Sequence, residues 1–166
     1  FGGAFWFGNH IISLDNLVLE GNGTLGTRYC SPGVNNSTGA PSSIELTGSA
    51  NVSQNNLSLV ASDLPLNAFG FFLTSQAQGF VAGPGGSDGN LCLGGSTGRY
   101  VGPGQIVNSG ATGSFTLALD LTQTPTPTGL VAIAAGETWN FQAWHRDAIG
   151  GVATSNFTDG ISLQFQ

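Results

Sequence analysis

The chain has 166 residues and a net charge of −6, with only 7% of residues charged, no lysine or methionine, and 27 glycines. Three arginines cannot build a basic patch, which excludes nucleic acid, and the acidic balance disfavours an anionic membrane surface. No apolar run approaches the ~20 residues of a spanning helix, the longest candidate being residues 130–135, so membrane insertion is not expected.

Residues 1–20, FGGAFWFGNHIISLDNLVLE, are the most aromatic and aliphatic stretch. Phe1, Phe5 and Phe7 would share one face of an extended strand, with Trp6 on the other. Beyond a break at Gly8, Asn9 and His10, Ile12, Leu14 and Val18 line one face, and Ile11, Leu17 and Leu19 join the apolar set. No helix start signal precedes the segment, and Gly2, Gly3 and Gly8 argue against a helix. An apolar terminus of this kind must be covered or it aggregates. Residue 1 is not methionine, so a processed or partial chain is expected.

Residues 21–27 read as a glycine-rich hinge, and residues 27–41 as an irregular lead-in holding Cys30. Two cysteines in so weakly charged a chain predict one disulfide, Cys30 to Cys92, formed in an oxidising compartment. Strand-length segments follow at residues 43–49, 56–62, 69–75, 90–93, 99–101, 105–107, 114–121, 138–146 and 160–165. In the segment 114–121, Phe115, Leu117, Leu119 and Leu121 are the expected core face. Short strands punctuated by Gly, Pro and Asn predict an all-β fold, an antiparallel Ig-like β-sandwich over residues 28–166 with an extended N-terminal strand. Residues 82–89 and 122–129 read as long loops, and residues 130–135 as at most one helical turn.

The motif matches carry little chemistry. Gly21, Gly23 and Gly26 fit G-x-G-x-x-G, but the sequence after them cannot open the helix that would cradle a pyrophosphate. Gly94, Ser96 and Gly98 fit G-x-S-x-G, with Asp120 and His145 following in hydrolase order. No helix or βα unit follows to form a nucleophile elbow, so no enzyme is expected. His10 and His145 are the only histidines, which excludes a His-rich metal site. Asp88 and Asn90, in a glycine-rich loop, are the weak calcium candidates; otherwise no cofactor is expected.

Residues 138–146 have two faces. Trp139, Phe141 and Ala143 read as core, and Asn140, Gln142, Trp144 and Arg146 as the opposite face. A Trp flanked by amides and Arg is what a sugar-stacking platform uses; the plainer reading, preferred from sequence, has Trp144 covered by a loop or a neighbouring subunit. Sequons occur at Asn22, Asn35, Asn36, Asn51, Asn56 and Asn156, predicting covalent glycans on a secreted or cell-surface protein.

The stretches GTRYC at 26–30, ASDLP at 61–65, FGFF at 69–72, LCLG at 91–94 and TWNFQAWHRD at 138–147 resemble a family of Cys-containing β-sandwich modules at the C-termini of secreted bacterial proteins. That resemblance implies a structural module with no catalytic residues. An apolar N-terminal strand ahead of an Ig-like domain is also similar to fibre subunits assembled by donor-strand complementation. The last strand ends Phe165-Gln166, without the penultimate Tyr of chaperone–usher pilins, so the closer similarity is to glycan-coated fibrils of Ig-like subunits. This resemblance implies a homopolymer whose partners are copies of the chain itself. A secreted carbohydrate-binding module, or an accessory domain of a larger exoenzyme, are the alternatives.

Overall fold

The computed structural model describes residues 25–166. Its strands are β1 (Thr27–Tyr29), β2 (Ser43–Thr47), β3 (Ser58–Ser62), β4 (Phe69–Ser75), β5 (Ala77–Ala82), β6 (Asn90–Gly94) and β7 (Gly98–Arg99). There follow β8 (Val107–Asn108), β9 (Phe115–Ala118), β10 (Thr124–Thr126), β11 (Gly129–Val131), β12 (Thr138–Ile149), β13 (Val152–Phe157) and β14 (Gly160–Gln164). The expected antiparallel β-sandwich is present. The expected N-terminal strand and most of the expected hinge lie outside the described residues.

The long strand β12 organises the larger sheet. Its first half pairs with β14 and its second half with β13, while β4 pairs along its other side from Asn140↔Ser75 to His145↔Gly70. β1 extends the sheet beyond β14, and the short β7 and β8 pair with the far edge of β4. A three-stranded sheet, ordered β2-β3-β9, faces it. Alternation along each strand sends one set of apolar side chains between the sheets. Ile44, Leu59, Phe72, Phe115, Phe141 and Ile161 are all buried there in one cluster. Phe72 and Phe115 meet edge to face across the gap, with centroids 5.2 Å apart. Gly70 lies so close to the Phe115 ring and the Trp144 carbonyl that any Cβ would collide with them, which is why the FGFF stretch carries a glycine at its second position.

One corner ties the two sheets by charge. Arg28 on β1 donates to Asp159 at 3.0 Å and to Glu45 on β2 at 2.9 Å, and the Asp159 carboxylate also accepts the Ile44 amide at 2.9 Å. Burial pushes the Asp159 carboxyl up from its ordinary value, and the Ile44 amide and Arg28 oppose that rise. The expected disulfide is formed. Cys30, just past β1, is joined to Cys92 on β6, with Cα atoms 6.3 Å apart.

Several boundaries differ from the sequence reading. β1 occupies residues assigned to the hinge end and to an irregular lead-in, because Thr27 already pairs with Ser162. The Thr/Pro run forms β10, which pairs with β11 where a helical turn was the alternative. β9 ends at Ala118; Leu119 and Leu121 stay buried beyond it, while Leu117 is only half-buried. β5 and β13 were not anticipated. β13 is announced by Gly150 and Gly151, which both adopt positive φ between Ile149 and Val152 and turn the chain tightly back on itself.

Candidate functional site: an aromatic groove on the outer sheet face

Residues paired across a sheet share a face. The register therefore puts Phe69, Phe71 and Leu73 of β4 on the outer side of the large sheet with Trp144 of β12, Phe157 of β13 and Arg99 of β7. The hairpin β5–β6 folds over part of this face and buries a second apolar cluster around Leu73, Leu93 and Phe157. Where the cover stops, Phe71 and Trp144 stack with centroids 5.0 Å apart and planes inclined by 30°. They form the floor of a groove of about 340 Å³, walled by Leu91, Pro84 and Gly85, with Arg99 at its margin.

The candidate sugar-binding face is half overturned. Asn140 and Gln142 do point to this side, but both are buried and hydrogen-bonded within the fold. The Gln142 carbonyl oxygen accepts the Cys92 amide at 2.9 Å, and its amide donates to the carbonyls of Asn90 and Thr158 at 2.9 and 2.8 Å. Asn140 accepts from Gln78 at 3.2 Å and donates to the Ser75 carbonyl at 3.1 Å. Gln142 and the Asn140 oxygen hold the hairpin onto the sheet, and burial keeps both side chains from a ligand. Trp144 is half-buried and Arg146 exposed, so these two members remain accessible. Arg99, Phe71 and Phe157 were not foreseen as site residues; the Phe69-Phe71-Leu73 alternation was the available signal.

The hydrolase-order trio is not assembled. Ser96 lies in the turn after β6, beside Thr126 and Trp139. Asp120 accepts from Thr122 and Asn55, contacts that hold its exposed carboxyl below the usual carboxylate value. His145 pairs with Ser42, Nε2 to Oγ at 3.0 Å, while Nδ1 faces the Arg146 carbonyl at 3.1 Å. Burial lowers the His145 pKa, and a neutral ring donating from Nδ1 leaves Nε2 to accept the serine proton. A serine–histidine pair with both side chains sealed in the fold (1% and 0% exposed) reaches no substrate and serves as an internal brace.

The sequons divide by burial. Asn35, Asn51 and Asn56 are exposed. Asn36 and Asn156 are buried and their amide nitrogens are taken: Asn36 donates to the Asp63 carbonyl at 2.7 Å, and Asn156 to the carbonyls of Val34 and Asn35. Neither nitrogen is open to a sugar in the folded domain, which corrects the expectation for these two. Asn22 lies outside the described residues, as do the donor-strand candidates Phe5, Trp6, Phe7, Ile11, Ile12, Leu14, Leu17, Val18 and Leu19. Among the described residues no three His, Cys, Asp or Glu side chains converge as a metal site, and Asp88 is exposed. No described helix is long and apolar enough to cross a membrane.

Compared with protein-family models, curated proteins and solved structures, the chain has no match.

Proposed function

We propose that this chain is a structural, non-catalytic subunit of an extracellular fibre, polymerising head to tail by donating residues 1–20 to the sandwich of the next copy. The observation that carries the reading is an open edge. Among the described residues, no strand pairs with β9 on the side away from β3. The Leu119 amide bonds the Leu57 carbonyl, so odd-numbered residues here face β3. Alternation then turns the amides and carbonyls of Thr116 and Ala118 outward, and both residues are exposed. Beside this edge the core margin is thin, with Leu117 and Val107 half-buried and Ile106 53% exposed.

A strand added to β9 gains main-chain bonds and covers that margin. Residues 1–20 span about 60 Å when extended, enough to leave one domain and cross another. Each buried Phe, Ile, Leu or Val side chain contributes about 1.5–3 kcal/mol before ordering costs, so a few make a durable joint. Head-to-tail donation propagates as a filament unless its rotation closes a ring. The disulfide and the sparse charge agree with an extracellular setting, and Asn35, Asn51 and Asn56 are the described positions that remain open to glycans.

Deletion of residues 1–20 tests the reading. The expected product is a monomer that forms no filaments in negative-stain micrographs and binds a synthetic peptide of the same residues. Identical fibres from the truncated chain overturn it.

A further inference from the structure

We infer that the groove floored by Phe71 and Trp144 is a binding site for an acidic polysaccharide, a linear chain bearing uronate carboxylates. The argument begins with charge. The three arginines are the chain's only Lys or Arg residues, and the whole carries −6. Arg28 is consumed by Asp159 and Glu45, while among the described residues neither Arg99 nor Arg146 has an ion pair. Both remaining arginines are exposed, and both lie on the outer face of the large sheet.

Their placement follows the aromatic stripe. Arg99 is opposite Leu73. Arg146 lies one position past the His145↔Gly70 pair, at the level of Phe69 on the other side of β4. Four residues of β4 separate the two levels, about 13 Å along the strand at ordinary strand rise. Between them run Phe69, 52% exposed, and the Phe71–Trp144 pair. Flat apolar surfaces cover the C–H faces of a pyranose, and a guanidinium holds a carboxylate in a forked pair. Arg99 lines the groove itself, while Arg146 lies beyond its Phe69 end, in a neighbouring hollow beside Pro65, Leu66 and Asp147; two cations so spaced fit a repeating polyanion of several sugars better than a single small anion. Asn140 and Gln142, the amides a neutral-sugar site would use, are instead buried beneath the hairpin and bonded to it. Recognition therefore falls to stacking and charge.

The assignment holds whether or not the chain polymerises, and its test is separate from the deletion experiment. The full chain is titrated calorimetrically with tetragalacturonate, and with cellotetraose as the neutral counterpart, at low and raised salt. The expected result is saturable binding of the uronate that weakens with salt, little binding of the neutral sugar, and a loss of about tenfold or more in the R99Q/R146Q double variant. Trp144→Phe keeps an apolar ring against Phe71 and is expected to weaken binding while leaving the fold intact. Absence of saturable uronate binding, or equal binding by the double variant, overturns the inference. So does displacement of bound tetragalacturonate by a peptide of residues 1–20, which would give the groove to a neighbouring copy.

Discussion

His145 owes its neutral state to position. It lies on the core side of β12, sealed from water, with a carbonyl at one ring nitrogen and the Ser42 hydroxyl at the other. Burial is the largest cause holding its pKa below the ordinary 6.5, and the Arg146 carbonyl and Asp147 offset it in part. The unfolded chain thus takes up this proton at higher pH than the folded one. Stability from the neutral ring is complete above about 6.5 and is lost as pH falls toward the folded value, by up to about 1.4 kcal/mol per pH unit. Urea unfolding between pH 7 and pH 5.5 is expected to show that slope. His145→Gln should be less stable at pH 7 by about 1–3 kcal/mol, because the Ser42 and Arg146 partners are disturbed, and should lose most of the slope. A slope unchanged by the substitution would assign the effect to another group.

The hairpin β5–β6 shows how one element decides what a neighbouring strand displays. Gln142 meets the hairpin at the Cys92 amide and the Asn90 carbonyl, and the Cys30–Cys92 bond locks the same strand to the end of β1. The disulfide spans a sequence separation of 62, and closing a loop of that size removes about 4 kcal/mol of unfolded-state entropy in the chain-entropy model. A Cys30→Ser/Cys92→Ser variant is therefore expected to unfold at lower urea, with stability reduced by about 4 kcal/mol. A change below about 1 kcal/mol would mean that the buried amides alone hold the hairpin. β5 itself escaped the sequence reading because Ala77, Gln78 and Gly79 give no alternating apolar signal, and Phe80 and Val81 are exposed. β4 was legible to its boundaries, since its FGFFLTS run is bounded by turn residues and buried on both faces over much of its length.

At the scale of the molecule, two sheets of unequal size leave the smaller one with an open side at β9. A proline is tolerated on an edge strand where the lost N–H does not serve the ladder. Thr116→Pro removes such an outward N–H, and the monomer is expected to remain folded within about 1 kcal/mol of the parent. Fibre growth should be abolished, because the added strand loses a main-chain bond and meets the ring instead. Fibres of normal yield and appearance from this variant would place the joint at another edge.

Composition and alternation by themselves determined the all-β class, the disulfide partners and most strands of the core, because these follow from local rules: period-two burial, turn residues, and two cysteines with no other mate. The accessible part of the outer face was decided only in three dimensions. Alternation correctly put Asn140, Gln142, Trp144 and Arg146 on one side of β12, but no local rule says that a hairpin from residues 77–94 covers the first two and leaves the last two accessible. The same holds for Asn36 and Asn156, whose sequons read like the others until long-range packing claims their amides. Burial of a polar side chain depends on which distant segment arrives to bond it, and that is a property of the fold as a whole.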